Sequence, residues 1–132
     1  FNKLIVFDEA HKYMAHSDLT KHVVETIRQM RHQGVTLLIA SQDPPSLPNE
    51  IIELSSAVIL HRFNSPQWLK HVQKSLIALN ELTPTQMAAL QPGEAYLWAN
   101  KASNPQWTHK AIKISTRPRV TLHGGGTQKA VE

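Results

Sequence analysis

The chain opens with a short apolar run that ends in two acidic residues. Leu4-Ile5-Val6-Phe7 is followed directly by Asp8 and Glu9. A short apolar run without alternation is typical of a strand buried in an α/β sheet. In such sheets, ligands bind at the carboxyl ends of the strands. The sequence therefore predicts a strand that presents two carboxylates at the ligand-binding edge of a sheet.

Asp-Glu at a strand end is the Walker B half of a P-loop nucleotide site. The Asp can bind Mg²⁺ directly or through water, and the Glu can orient an attacking water. The other half needs G-x-x-x-x-G-K-[ST], and no glycine of this chain stands in that pattern; the glycines are Gly34, Gly93 and Gly124 to Gly126. We therefore expect the C-terminal part of a larger ATPase, inactive by itself. The alternative for the motif alone is a strand that ends in two solvated acids.

Composition sets broad limits on this interpretation. The 132 residues suit one domain or part of one, and a formal charge of +4 weakly favours an anionic partner such as nucleic acid or nucleotide. There is no cysteine, which excludes disulfides and Cys-based zinc sites. No apolar run reaches the roughly 18 to 20 residues of a membrane span. We expect a soluble protein of the cytoplasm or another intracellular compartment.

The first half of the chain is predicted to alternate strands and helices. A helix capped by Ser17 or Asp18 runs to about Gln33 and ends at Gly34, which suits a left-handed residue. The apolar residues 35–40 predict a second strand, buried on both faces in a parallel sheet. Residues 57–60 predict a third strand after a short helix. This order predicts an α/β fold with a mostly parallel sheet.

The second half shows clear helix starts and a predicted hairpin. Ser65 and Thr83 each precede a proline, the arrangement of an N-cap followed by proline at the first helical position. Residues 94–99 and 107–114 predict the two strands of an antiparallel hairpin. From Arg117 the chain is rich in Pro, Gly and polar residues. We predict an ATPase part over residues 1–116 and an extended or disordered tail over 117–132.

Polar residues follow all three apolar strands of the first half. The pairs are Asp8-Glu9, Ser41-Gln42 and His61-Arg62. If the three strands are parallel neighbours, these side chains converge on one crevice, where they can bind metal, align water and sense phosphate. An amide both donates and accepts, so Gln42 can hold the attacking water or sense the γ-phosphate. The alternative is that Gln42 only caps a loop.

Two longer segments carry a resemblance to a known family. Residues 4–11 (LIVFDEAH) and 28–42 (RQMRHQGVTLLIASQ) resemble the HerA/FtsK group of P-loop ATPases. Residues 58–62 and 90–95 follow in the order of elements of that group, so the similarity covers about residues 3–99. The group consists of RecA-like hexameric motors, including DNA translocases and the ATPases of conjugation systems. The resemblance therefore implies a partial RecA-like, three-layer fold. It also implies a motor protein that uses ATP and Mg²⁺ and acts on nucleic acid, most simply DNA.

The resemblance also implies roles for particular residues. Asp8 resembles the Walker B acid on the metal side, and Glu9 resembles the catalytic glutamate. Gln42 resembles the polar sensor of the neighbouring strand, with Ser41 beside it in the nucleotide site. Arg28, or else Arg31, resembles the arginine that reaches the nucleotide of a neighbouring subunit. Arg62 is also predicted to bind nucleotide, because it is expected at the same sheet edge.

Other interpretations stay open. Arg28 and Arg31 lie three residues apart near a helix end, where a cation interacts favourably with the helix dipole without any ligand. Asp8-Glu9-Ala10-His11 also spells the acidic motif of DEAH-type helicases. The region can also be a non-catalytic module for oligomerisation or nucleic-acid binding that derives from such an ATPase. A P-loop upstream in the parent protein favours the motor, and its absence favours the module.

Overall fold

The computed structural model describes residues 2–14 and 17–122, and for Ser17 and Arg31 it describes the backbone alone. The chain is an α/β structure with two small sheets. Its elements follow in the order β1 (Lys3–Phe7), a 3-10 turn (Ala10–Lys12), α1 (Ser17–Gln33), β2 (Val35–Ile39), a 3-10 turn (Pro44–Ser46), α2 (Asn49–Glu53), β3 (Ala57–Leu60), α3 (Pro66–Ser75), a 3-10 turn (Ile77–Leu79), α4 (Pro84–Ala89), β4 (Glu94–Ala99), α5 (Gln106–His109) and β5 (Ile112–Ser115).

The first sheet consists of β1 and β2 in parallel. Their register runs from Lys3 opposite Val35 to Phe7 opposite Ile39. Parallel neighbours need a long crossover, and α1 provides it. Gly34 ends α1 with φ of 62°, a left-handed conformation that glycine adopts without a steric cost. The predicted helix, its end at Gly34 and the parallel pairing of the two strands are therefore all present.

Only one face of this first sheet is covered. Its covered face packs against α1 in an apolar cluster that includes Phe7, Leu37 and Ile39 from the strands. The opposite face carries Leu4, Val6 and Leu38, whose exposed fractions are 66%, 53% and 56%. The prediction that β2 is buried on both faces is thus wrong for this chain, because no described element packs on the second face. We call Leu4, Val6 and Leu38 the bare face.

The second sheet is antiparallel, with the strand order β3-β4-β5. The predicted hairpin partners β4 and β5 are confirmed. The prediction that residues 57–60 continue the parallel sheet is wrong, because β3 pairs antiparallel with β4. That pairing sets Val58 opposite Trp98 and Leu60 opposite Tyr96, which are the apolar and aromatic cross-strand pairs that stabilise sheets. A short apolar run does not encode its partner, so either pairing fits the sequence.

A compact apolar cluster supports the second sheet. Its fully buried members include Leu69, Leu79 and Met87. Both predicted helix starts are present: the Ser65 hydroxyl accepts from Trp68 N at 3.4 Å, and Thr83 forms a capping box with Gln86. The short helix α5 was not predicted. It covers residues 106–109, whereas a strand was predicted from residue 107 onward. Asn104 and Pro105 start this helical turn, with Asn104 Oδ1 accepting from Gln106 N at 3.0 Å.

Candidate nucleotide site

The site begins where β1 ends and the chain turns sharply. Glu9 has φ of 51° and ψ of 47°, a left-handed conformation that costs energy in a residue with a Cβ atom. Its N–H donates to Asp8 Oδ1 at 2.9 Å. The next residue, Ala10, is fully buried, and its N–H donates to Ala40 O at 2.8 Å. The turn at Glu9 thus ends β1 and is followed by a residue that is buried beside the end of β2.

The two parallel strands bring Glu9 and Gln42 together. Ala40 N donates to Phe7 O at 2.9 Å, which extends the pairing of β1 and β2 up to the site. Beyond this bond, Gln42 Nε2 donates to Glu9 Oε1 at 2.7 Å. The two residues are 33 positions apart in sequence, so their contact depends on the parallel register. Convergence of Asp8-Glu9 with Ser41-Gln42 at one sheet edge is thus observed.

A lysine holds the second carboxylate oxygen of Glu9. Lys12 lies one 3-10 turn further on, and its ammonium forms an ion pair with Glu9 Oε2. The Lys12 side chain is 61% exposed, whereas that of Glu9 is 30% exposed. The hydrogen bond from Lys12, helped by its charge, holds the pKa of the Glu9 carboxyl below its ordinary value. Both carboxylate oxygens of Glu9 are therefore engaged, one by an amide and one by an ammonium.

Ser41 belongs to a neighbouring set of polar contacts. Its hydroxyl lies 3.3 Å from His11 Nδ1 and accepts from Asp43 N at 3.2 Å. The Asp43 carboxylate in turn accepts from the hydroxyl of Ser46. These contacts connect the turn after β1 with the loop that carries Gln42. The structure thus places Ser41 next to the acids, in contact with His11, and its predicted role toward nucleotide stays a prediction.

The donor set at the strand end fits magnesium. Asp8 is exposed at the end of β1, with one carboxylate oxygen accepting from a backbone N–H. Proteins usually bind Mg²⁺ through one or two carboxylates, together with waters and phosphates of the substrate. A single Asp with a second acid beside it matches that pattern. Asp8 is the residue that would hold the ion.

The two candidate arginines lie on α1. Arg28 is exposed and lines an open groove of about 510 Å³ between α1 and α2. The groove is lined by Thr20, Lys21, Val24, Glu25, Arg28, Gln29 and Glu50. Asp8, Glu9 and Gln42 do not line this groove. For Arg31 only the backbone position on α1 is described, and its side chain lies outside the described part.

The predicted place of Arg62 is wrong. It follows β3, which belongs to the antiparallel sheet and not to the sheet of β1 and β2. In the described part of the chain, Arg62 forms no hydrogen bond or ion pair with Asp8 or Glu9. The reason to include it was a shared sheet edge, and the antiparallel pairing removes that reason. A role for Arg62 in nucleotide binding is left as a prediction without structural support.

Sequence reasoning missed Lys12. Its contact with Glu9 spans three residues, the spacing at which side chains meet on one helical turn. That spacing was visible in the sequence. The left-handed turn at Glu9, which starts the 3-10 segment and brings the two side chains together, was not visible in the sequence.

Comparison with known proteins gives two sequence relatives. The chain is 32% identical over 108 residues to the DNA double-strand break repair helicase HerA of Sulfurisphaera tokodaii, covering 80% of this chain and 22% of that protein. It is 33% identical over 96 residues to the probable helicase MJ1565 of Methanocaldococcus jannaschii, covering 70% and 19%. The chain thus spans about a fifth of the length of these curated relatives. No protein-family model matches the chain.

Solved structures share the fold. The genome packaging NTPase B204 from Sulfolobus turreted icosahedral virus 2, in complex with ATP-gammaS, matches 87% of this chain and 52% of its own, with a TM-score of 0.69 and 15% identity. The same protein in complex with AMPPCP matches with a TM-score of 0.69 and 15% identity, over 88% of this chain and 53% of its own. The predicted partial RecA-like α/β fold is confirmed. Sequence similarity and fold together support the chain as a fragment of a HerA/FtsK-like ATPase.

Proposed function

We propose that this chain supplies one wall of the ATP site in a nucleic-acid motor, with Glu9 as the group that activates water. The observation that carries the proposal is the bond from Gln42 Nε2 to Glu9 Oε1 at 2.7 Å, made across the ends of two parallel strands. It couples an amide in the loop after β2 to the acid that follows β1. Asp8 would hold Mg²⁺, which supplies positive charge at the phosphates when bound.

The chemistry assigned to these residues is hydrolysis of the terminal phosphate. The oxygen of a water molecule forms a bond to the γ-phosphorus while the bond from that phosphorus to the bridging oxygen breaks. The electron pair of the broken bond stays on ADP. The water proton goes to a carboxylate oxygen of Glu9 and from there to solvent. Gln42 fixes the Glu9 carboxylate and can sense the γ-phosphate through its remaining N–H and carbonyl.

The second wall, which binds the phosphates, comes from another part of the domain. No segment of this sequence has the P-loop pattern. The bare face of β1 and β2 supports the presence of covering structure, because three large apolar side chains are more than half exposed there. In a RecA-like layered sheet, both faces are normally covered by helices. We infer that the P-loop half of the domain covers the bare face.

The partners follow from the family and from the position of Arg28. The family and the net charge of +4 support nucleic acid, DNA in the first instance, as the polymer that is moved. Arg28 is exposed on α1, in a groove that Asp8 and Glu9 do not line, which is compatible with a role at the nucleotide of a neighbouring subunit in a homo-oligomeric ring. Among the described helices, none is long and apolar enough to cross a membrane. We place the motor in the cytoplasm with its DNA.

The test separates hydrolysis from binding in the full-length protein. Glu9→Gln keeps the shape of the side chain and removes the negative charge, so ATP turnover should fall by at least 100-fold while nucleotide binding is nearly unchanged. Asp8→Asn should instead weaken Mg²⁺-dependent binding. Steady-state hydrolysis and titration with a non-hydrolysable ATP analogue measure the two effects. Wild-type behaviour of both variants would refute the assignment of the acids, and loss of binding in Glu9→Gln would point to a structural role.

A further inference from the structure

Both carboxylate oxygens of Glu9 already have a partner in the structure, which leaves fewer acceptor positions for the attacking water. A general base needs a carboxylate oxygen within hydrogen-bond reach of the attacking water. Gln42 occupies Oε1, and Lys12 occupies Oε2. Each oxygen can accept a second hydrogen bond, and opening of one contact gives the water freer access to the carboxylate.

The two contacts differ in how firmly they are held. Gln42 is exposed and lies three residues after the end of β2. The backbone bonds Ala40 N to Phe7 O (2.9 Å) and Ala10 N to Ala40 O (2.8 Å) fix the start of its loop against the turn of Glu9. Lys12 reaches Glu9 with a long side chain that is 61% exposed and has many rotamers. An exposed ion pair of this kind shifts an equilibrium by no more than about fivefold. Lys12 is therefore the contact that opens.

We propose that Lys12 is a brake on hydrolysis: its ammonium competes with the attacking water for Oε2 of Glu9. This inference rests on the proposed role of Glu9 as the base. While Lys12 is in place, it takes up one acceptor position of Oε2 and restricts the access of water to Glu9. When Lys12 moves into solvent or to another anion, Oε2 becomes the acceptor, and the Gln42 contact keeps the carboxylate in position.

The test uses kcat for ATP hydrolysis by the full-length protein. Lys12→Met keeps the aliphatic stem and removes the charge, so kcat should rise about twofold to fivefold with KM nearly unchanged. Lys12→Arg keeps the charge and should remain close to wild type. Lys70→Met, on the exposed side of α3, is the matched control and should not change kcat. A kcat for Lys12→Met at or below the wild-type value would overturn the brake.

Salt gives a second readout that loss of structure would not produce. Ions screen exposed charge pairs, so kcat of the wild type should rise relative to that of Lys12→Met between about 0.05 and 0.3 M salt. A constant ratio of the two rates would contradict the brake. Glu9→Gln and the double variant Glu9→Gln with Lys12→Met separate the hypothesis that Glu9 is the base from the hypothesis that Lys12 is a brake. If Glu9→Gln is inactive and Lys12→Met is not faster, the brake alone fails; if Glu9→Gln is fully active, the role of Glu9 fails and the brake fails with it.

Discussion

Replacing Gln42 by alanine removes the amide that fixes the Glu9 carboxylate, and the structure gives the size of the effect. The contact is a hydrogen bond of 2.7 Å from Nε2 to a charged oxygen. Hydrogen bonds to charged groups contribute a factor of roughly 10 to 100 to an equilibrium, and the partial exposure of this site favours the lower end. We therefore expect Gln42→Ala to lower kcat about tenfold.

Gln42→Glu should lower kcat more than Gln42→Ala does, because it places a second negative charge beside Glu9. Coulomb attraction or repulsion of two unit charges at 2.7 Å, even at the dielectric constant of water, corresponds to about a further factor of ten. The expected loss in kcat is therefore roughly 100-fold. The order of the variants, wild type above Gln42→Ala above Gln42→Glu, is a stronger test than either value. It depends on the contact with Glu9 and not on the volume of the side chain.

The assay is steady-state ATP hydrolysis by the full-length protein, with kcat and KM determined separately. Gln67→Ala, an exposed glutamine on α3, is the matched control and should leave both unchanged. A rate for Gln42→Ala within twofold of wild type would refute the reasoning. Equal losses in nucleotide binding and in kcat would also refute it, because the bond is assigned to the base and not to the phosphates.

Three further predictions address the arginine and the stability of the fold. Arg28→Ala should lower turnover by roughly 10³-fold or more; mixing its subunits with Glu9→Gln subunits should restore part of the ATPase rate, and full activity of the Arg28→Ala homo-oligomer would rule out a role across subunits. Glu94 accepts a hydrogen bond from Gln91 N at 2.8 Å and forms an ion pair with Lys113 at 3.1 Å. These contacts hold the pKa of the Glu94 carboxyl below its ordinary value of 4.5. The stability that they add is therefore present above pH 4.5 and is lost as the pH falls through the lowered pKa. In urea unfolding of residues 1–132, the stability difference between wild type and Glu94→Gln should therefore shrink from pH 7 to pH 3, and a constant difference would contradict the assignment. Gln73 Nε2 donates to Leu79 O and Leu82 O, both at 2.9 Å, so Gln73→Leu should cost about 2 kcal/mol in the same assay, whereas Gln67→Leu on the exposed side of α3 should stay within about 0.5 kcal/mol of wild type.

Features that depend on nearby residues could be predicted from the sequence. Ser65 and Thr83 start helices through bonds within three residues, and Gly34 ends α1 in the conformation that glycine favours. The placement of Gln42 beside Glu9 could also be predicted, because two apolar strands joined by one helix almost always form a parallel pair with their carboxyl ends together. These expectations need only local chemistry and one general rule of connection.

The partner of β3 could not be predicted for a physical reason. Ala57 to Leu60 is four residues long and apolar throughout, so neither its length nor its pattern specifies a direction or a neighbour. The choice was made by β4, which places Trp98 opposite Val58. Because the partner of β3 was predicted wrongly, Arg62 was expected at the nucleotide site, whereas it follows a strand of the other sheet. Long-range pairing therefore decided the place of Arg62, whereas the place of Gln42 beside Glu9 followed from the rule for two strands joined by one helix.

The conformation of Glu9 links the stability of the chain to its chemistry. Among the described residues, positive φ occurs at Gly34, at Gly93 and at Glu9, the one residue of the three with a Cβ atom. Glycine at position 9 would adopt the same turn without steric cost, and asparagine would do so at less cost than glutamate. Backbone strain therefore disfavours glutamate at this position, and the contacts of its carboxylate with Gln42 and Lys12 offset that cost. The same two contacts are the ones through which the proposed base would be positioned and controlled, so the stability of the turn and the proposed chemistry depend on one side chain.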